Sequence, residues 1–115
     1  MSNKEKIAVI GAGSWGTALA GVLSEQGLET TLWGHNPEHI VALKRDRENK
    51  KYLPGYQFVK KLQITSDLAV AVKDCATVCM VVPSHGFRLV FKAVFPFLEK
   101  ALFQHIHTLA FIKLL

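Results

Sequence analysis

The amino-acid sequence predicts an α/β protein with a Rossmann-type parallel sheet. Three observations support this prediction. The apolar run Lys6–Ile10 is typical of a strand that is buried on both faces of a parallel sheet. It leads directly into Gly11, Gly13 and Gly16, which have the spacing Gly-x-Gly-x-x-Gly, and then into apolar residues at helical spacing. Strand-like and helix-like segments continue to alternate after that, which favours parallel pairing with right-handed crossovers.

Length and composition indicate one globular domain. The chain has 115 residues, of which 50% are hydrophobic and 20% charged, a balance that is not typical of disordered chains. The formal net charge of +5 comes from scattered lysines and arginines without interleaved aromatic residues. We therefore expect a small anionic ligand and no nucleic acid.

The sequence also predicts a cytoplasmic protein without a membrane span. No secretory hydrophobic region follows Met1, and the most apolar stretch, 101–115, is short for a bilayer and interrupted by polar residues. Cys75 and Cys79 lack the Cys/His partners of a zinc site. We expect both to be small buried hydrophobic side chains.

The first half of the chain is predicted to form a β-α-β-α unit. After the first strand, a helix with an apolar face begins at Thr17, and Gly27 is placed to end it in the left-handed conformation. Residues 30–33 are again strand-like. Asn36 and Pro37 then supply an N-cap and a first-turn proline for a second helix.

The second half begins with a polar, basic segment, 45–61, which we expect to be a loop or an irregular excursion. Residues 62–65 are predicted to form a short strand, and Ser66 is predicted to cap a helix that runs through Val72. A strongly buried strand is predicted at 77–82.

Two prolines mark predicted boundaries near the end of the chain. Pro83 is expected to stop the strand at 77–82. A helix is predicted over 84–98 because apolar residues recur there at helical spacing, and Pro96 is expected to interrupt it.

The glycine-rich segment is the candidate cofactor site. Gly11 would permit a tight turn, Gly13 would let the backbone approach a pyrophosphate, and Gly16 would let helix and strand pack closely. Free amides at the start of the helix would hold the anion. The alternative is a glycine-rich turn that serves packing alone.

The end of the second strand, about twenty residues past the glycines, is where a cofactor ribose is expected. The residues there are Gly34, His35 and Asn36, so no carboxylate repels a 2′-phosphate. Either His35 or Asn36 would hydrogen-bond the ribose, and we expect NADP with NAD tolerated. The alternative for His35 is an exposed loop histidine.

The loop after the fourth predicted strand is the next place to expect a ligand. There, Ser84 fits a helix cap as well as a ligand contact, and Phe87 fits the core as well as a cofactor wall. His85 lacks an identifiable carboxylate partner for acid–base chemistry. His105 and His107 lack further ligands for a metal. We predict no catalytic residue and no metal site.

Four segments in order resemble the bacterial-type NAD(P)-dependent glycerol-3-phosphate dehydrogenases. They are 6–20, 32–40, Asn49 with 52–55, and 81–84. The resemblance implies the N-terminal, cofactor-binding part of an oxidoreductase of glycerophospholipid synthesis. Such an enzyme interconverts sn-glycerol 3-phosphate and dihydroxyacetone phosphate with NAD(P)(H).

The resemblance also implies roles for particular residues. Ser14 and Trp15 are similar to contacts in the family's cofactor loop, His35 to its adenosine-phosphate contact, and Phe87 to a nicotinamide-side contact. The family's Thr-Lys-Gly turn and catalytic second domain are not recognisable, since Lys113 lacks the flanking threonine and glycine.

From these matches we predict a Rossmann domain at 1–100 that is incomplete at its C-terminal end, followed by a divergent or truncated tail at 101–115. The chain would be the cofactor part of an enzyme that acts on a small phosphorylated substrate. By itself we expect weak or absent cofactor binding and no turnover. The alternative is a non-catalytic nucleotide-binding fragment or protein-association module, which could form a homodimer through an exposed edge strand.

Overall fold

The computed structural model describes residues 6–102 and 108–114. Within these residues strands and helices alternate along the chain, as the sequence predicts. The elements are β1 (Lys6–Ile10), α1 (Ser14–Glu25), β2 (Glu29–Trp33), α2 (Pro37–Asp46), β3 (Glu48–Asn49), β4 (Leu53–Gln57), β5 (Gln63–Thr65), α3 (Leu68–Val72), β6 (Thr77–Pro83), α4 (Ser84–Leu102) and β7 (Thr108–Leu114).

The main sheet of the described residues has five strands in the order β5-β2-β1-β6-β7. All four neighbouring pairs are parallel. Ile10, at the end of the central strand, lies opposite Trp33 on one side and Met80 on the other. The carboxyl ends of β1, β2 and β6 therefore meet at one edge of the sheet. This topology confirms the predicted Rossmann-type α/β fold.

Each face of the sheet is covered by its own cluster of buried hydrophobic side chains. Ala8 and Ile10 of β1 belong to a cluster with residues of α3 and α4, whereas Ile7 and Val9 belong to a cluster with residues of α1 and α2. Successive side chains of a strand point to opposite faces, so a continuously apolar strand is buried on both sides. The interpretation of Lys6–Ile10 as a doubly covered strand is confirmed.

The local signals at two helix ends are also confirmed. Gly27 has φ +86° and follows α1. The Oδ1 atom of Asn36 accepts hydrogen bonds from the amides of Glu38, at 3.0 Å, and His39, at 3.3 Å, while Pro37 opens α2. The start of α1 was predicted too late, because the helix begins at Ser14 directly after the glycine turn.

The segment 45–61 was wrongly predicted to be irregular, because β3 and β4 form a two-stranded antiparallel sheet within it. Hydrogen bonds to side-chain oxygens, and not a pattern of apolar residues, hold the turn between the two strands. The Oδ1 atom of Asn49 accepts from the amide of Tyr52, and a carboxylate oxygen of Glu48 accepts from the amide of Gly55. Such polar links leave no hydrophobic periodicity in the sequence.

Three boundaries in the second half also differ from their predictions. The cap of α3 is Asp67 and not Ser66, since the Oδ1 atom of Asp67 accepts from the amide of Val70 at 3.2 Å. β6 extends one residue beyond the predicted 77–82 and ends at Pro83, so the proline does mark the end of this strand as predicted. Pro96 lies inside α4. A proline removes one backbone donor from a helix, but α4 continues through it to Leu102.

The backbone of β7 pairs with β6 from Thr108 to Leu114, so the described sheet extends into the segment predicted to be a tail. Among the residues described, no helix is long and apolar enough to cross a membrane. His105 and His107 lie outside the described residues.

Candidate cofactor site

The glycine-rich segment lies between β1 and α1, at the carboxyl edge of the sheet. The amide of Gly11 donates to the carbonyl oxygen of Trp33 at 2.9 Å, which ties the segment to the end of β2. The amide of Thr17 makes the first backbone hydrogen bond of α1, to the carbonyl of Gly13 at 3.0 Å. The preceding amides have no acceptor within the helix. They form the positive end of the helix dipole, which favours an anion.

Gly11 and Gly16 are required by the fold itself. Gly11 has φ +127°, and a Cβ atom there would overlap the carbonyl of Val81 in the neighbouring strand. A Cβ atom at Gly16 would overlap the carbonyl of Gly11. The turn and the close approach of helix to strand therefore both depend on the absence of a side chain.

Gly13 has a different environment. Nothing lies within 4 Å of the position that its Cβ atom would occupy, and its φ of −82° is accessible to any L-residue. The fold itself therefore does not require glycine at this position. Open space in front of the first turn of a helix is what a phosphate group needs for close approach.

Ser14 and Trp15 form the first turn of α1 and are both exposed. Trp15 has 68% of its surface accessible, although a large ring in solvent carries a hydrophobic cost. Both residues belong to the turn that carries the free amides of the helix.

The turn that follows β2 packs directly against the glycine segment. A Cβ atom at Gly34 would lie 2.8 Å from the Cδ1 atom of Ile40 and 3.0 Å from the Cβ atom of Ala12. The amide of Gly34 donates to the carbonyl of Thr65. His35 comes next and is exposed. The structure thus brings His35 and the glycine segment to the same edge of the sheet.

Phe87 lies on α4 and is half-buried. It packs against the core cluster that includes Ala8 and Ile10, and its ring stacks on that of Phe91, with centroids 5.8 Å apart and planes 12° apart. Phe87 thus contacts the core. The backbone of Ser84 and His85 forms the first turn of the same helix.

Asn49 was not predicted as a site residue, yet it contacts the glycine segment. Its side chain is fully buried. The Nδ2 atom donates to the carbonyl oxygen of Ala12 at 3.0 Å and to the Oγ1 atom of Thr17 at 2.8 Å. The Oδ1 atom accepts from the amide of Tyr52 at 3.2 Å and lies 3.1 Å from the Nε2 atom of His39. A single asparagine in a polar segment carries no sequence signal for such contacts.

The residues at this edge suit binding better than proton transfer. Among the residues whose side chains are described, the groups that converge there are the backbone amides of a helix N-terminus and the exposed side chains of Ser14, Trp15 and His35. The two thiols lie in the core instead, since Cys75 and Cys79 are buried as predicted. Burial raises the pKa of the Cys75 thiol to about 11 and also raises the pKa of the Cys79 thiol. High thiol pKa values disfavour a reactive thiolate.

Residues 6–109 match the family model of the NAD-dependent glycerol-3-phosphate dehydrogenase N-terminus. The chain belongs to this family. The match begins at β1, includes the glycine segment and ends within β7. It confirms the family to which the four sequence segments pointed.

Curated glycerol-3-phosphate dehydrogenases, named as NAD(P)+-dependent, are similar to this family member over most of its length. That of Desulfotalea psychrophila is 54% identical over 99 residues, which cover 85% of this chain and 29% of the relative. That of Citrifermentans bemidjiense is 49% identical over 96 residues, covering 84% and 29%. The chain therefore spans under a third of the length of these relatives.

Solved structures of glycerol-3-phosphate dehydrogenases share the fold. The crystal structure from Coxiella burnetii has a TM-score of 0.83 and 33% identity, and the match covers 96% of this chain and 32% of that one. The yeast structure has a TM-score of 0.76 and 24% identity, covering 94% and 33%. The yeast match is evidence of a common fold alone.

Proposed function

We propose that this chain is the cofactor-binding part of an NAD(P)-dependent glycerol-3-phosphate dehydrogenase. The complete enzyme would interconvert sn-glycerol 3-phosphate and dihydroxyacetone phosphate in the cytoplasm, for glycerophospholipid synthesis. The observation that carries the proposal is the glycine segment. It opens α1 at the carboxyl edge of a parallel sheet and leaves open space at Gly13, in a chain that belongs to this dehydrogenase family.

The residues at the edge fit a dinucleotide in a defined order. The backbone amides that begin α1 would hold the pyrophosphate, with Ser14 and Trp15 beside it. His35, at the end of β2, would contact the adenosine ribose or its phosphate. Phe87 would lie towards the nicotinamide, in addition to its core contacts. When bound, the nicotinamide supplies or accepts the hydride of the reaction.

The turn after β2 supports NADP as the preferred cofactor, with NAD tolerated. A carboxylate at this point would hydrogen-bond a bare 2′-hydroxyl and repel a 2′-phosphate. The residues here are Gly34, His35 and Asn36, and the chain carries a formal net charge of +5. Neither the absence of a carboxylate in this turn nor the positive net charge would repel the additional 2′-phosphate.

Reduction of a ketone also needs groups that position the substrate and donate a proton. We assign those groups to the part of the relatives, about 70% of their length, that this chain does not match. Consistent with that assignment, the edge described above holds no paired acid and base among the residues with described side chains. Of the two expectations for the isolated chain, weak or absent binding, the proposal requires weak cofactor binding, without turnover.

Two assays on the purified chain test this function. NADPH oxidation with dihydroxyacetone phosphate should not exceed the rate of a protein-free blank, whereas an NMR titration with NADPH should show saturable binding. Turnover well above the blank would contradict the assignment of the catalytic groups to another part of the enzyme. Absence of binding at millimolar NADPH would contradict the cofactor role.

The strand order favours a second candidate, a protein-association module. β5 and β7 are the edges of the described sheet, and an edge strand carries unpaired backbone groups that another strand can bind. Sedimentation analysis distinguishes this candidate, since it requires a concentration-dependent dimer or larger species, whereas cofactor binding does not.

A further inference from the structure

We propose that Asn49 is a positioning residue for the cofactor, because it sets the direction in which the amide of Gly13 points. This inference rests on the proposed cofactor role of the glycine segment. It concerns a residue that lies on β3, outside the β-α-β unit that carries the glycines.

The hydrogen bonds of Asn49 determine how its amide group is oriented. A backbone carbonyl can only accept, so the atom 3.0 Å from the oxygen of Ala12 must be the nitrogen of the side chain. The Oδ1 atom therefore faces the amide of Tyr52 and the Nε2 atom of His39. Since Oδ1 is an acceptor, the Nε2 atom of His39 carries the proton. Both donors and both acceptor positions of Asn49 are used, with no side-chain surface exposed.

The carbonyl of Ala12 and the amide N–H of Gly13 belong to one peptide unit. That unit is planar and trans, so the C=O and the N–H point in opposite directions. Asn49 holds the carbonyl oxygen towards the protein interior. The N–H of Gly13 is thereby directed away from the buried side chain of Asn49. One buried hydrogen bond thus orients the first amide of the proposed anion site.

The second donor bond of Asn49 secures the other end of the same segment. Thr17 is fully buried, its Oγ1 atom accepts from Asn49, and its amide donates to the carbonyl of Gly13. Residues 12–17 are therefore held at both ends by one side chain. The first turn of α1 cannot rotate about its axis without breaking these bonds.

His39 connects this network to the proposed ribose side of the site. It lies on α2, which begins two residues after His35, and its ring contacts that of Tyr52 edge-on at 5.5 Å. Asn49 thus contacts α1, which carries Ser14 and Trp15, and α2, which begins two residues after His35. It fixes their relative position as well as the direction of one amide.

The competing explanation is that Asn49 only anchors the β3–β4 sheet to α1. Tyr56 offers a matched control for that explanation. Its hydroxyl donates to a carboxylate oxygen of Glu25 at 2.6 Å, so it also links this sheet to α1, but at the opposite end of the helix. Loss of anchoring alone should have the same effect whichever link is removed.

The experiment compares the wild-type chain with Asn49→Asp, His39→Phe and Tyr56→Phe by NMR. Asn49→Asp keeps the size of the side chain but sets an acceptor against the carbonyl of Ala12. His39→Phe keeps the ring against Tyr52 and removes the donor to Asn49, so it provides a milder test if Asn49→Asp does not fold. The readouts are the amide resonances of residues 12–17 and the hydrogen exchange of the Thr17 amide without ligand, and the affinity for NADPH.

We expect Asn49→Asp and His39→Phe to shift the amide resonance of Gly13 and to speed the exchange of the Thr17 amide, which donates to the carbonyl of Gly13, while Tyr56→Phe leaves both unchanged. NADPH affinity should fall about tenfold in Asn49→Asp, which corresponds to the loss of one buried hydrogen bond, and by less in His39→Phe. Unchanged Gly13 resonances in both variants, or equal effects in Tyr56→Phe, would overturn the inference. If the wild-type chain does not bind NADPH, the proposed function fails, and the ligand-free resonances still decide the role of Asn49.

Discussion

Gly11, Gly13 and Gly16 have the same side chain but three different environments. Gly11 and Gly16 each face a backbone carbonyl that an added Cβ atom would overlap, whereas the space beside Gly13 is open. The first two are therefore needed for folding, and we assign the third to a ligand. Because Gly16 has a role in folding and Gly13 is assigned to the ligand, substitutions at these two positions test folding and binding independently.

The first prediction at the residue scale concerns Gly16→Ala. The added methyl group meets the carbonyl of Gly11, and overpacking of this kind costs about 1–3 kcal/mol. We expect the free energy of unfolding in urea to fall by that amount. Gly86→Ala is a matched control, since it lies in α4 with nothing within 4 Å of the new methyl group. A loss of stability at Gly86 as large as that at Gly16 would contradict this explanation.

A second prediction concerns the thiol of Cys75. Burial raises its pKa from 9.0 to about 11, so the folded state favours the neutral thiol. Its contribution to the free energy of unfolding is complete below about pH 9 and is lost as the pH rises towards 11. Urea unfolding should show a decrease over this range that is smaller in Cys75→Ala. Equal pH dependence in both proteins would show that the thiol does not contribute.

At the scale of elements, the N-cap of α2 is the clearest stabilising feature that nearby residues provide. The Oδ1 atom of Asn36 accepts from the first free amides of the helix. Asn36→Ala should cost about 1 kcal/mol, measured as a lower melting temperature, whereas Asn36→Asp should retain most of the stability because it keeps the acceptor. Equal melting temperatures for the wild type and Asn36→Ala would contradict the role of this cap.

The elements that were predicted correctly are those specified by residues close together in the sequence. The strand Lys6–Ile10 is apolar throughout, and α2 has its own cap and first-turn proline. The β3–β4 sheet is different, because Asn49 and Glu48 hold it through hydrogen bonds to turn amides. Pro96 was predicted to interrupt α4 because a proline removes one backbone donor, a local rule that does not decide whether the helix continues beyond it, as it does here.

At the scale of the whole molecule, the sequence predicted the fold and the edge at which a ligand would bind. A strand, three spaced glycines and a helix imply that edge by themselves. The sequence did not predict the side chain that supports the glycines. Asn49 and Ala12 are 37 positions apart, and their contact exists only after β3 packs beside α1. Such a contact depends on the complete fold.

The central claim is that the first turn of α1 binds the pyrophosphate of NAD(P)(H) at Gly13. The most direct test is an NMR titration of the wild-type chain and Gly13→Ala with NADPH. The variant should fold with nearly unchanged stability, because Gly13 has open space and φ −82°.

In the wild type we predict saturable shifts of the amides at 11–16 and 34–36. In Gly13→Ala they should be lost, because the methyl group occupies the approach of the pyrophosphate. Equal binding by the two proteins, or shifts confined to another part of the chain, would contradict the claim.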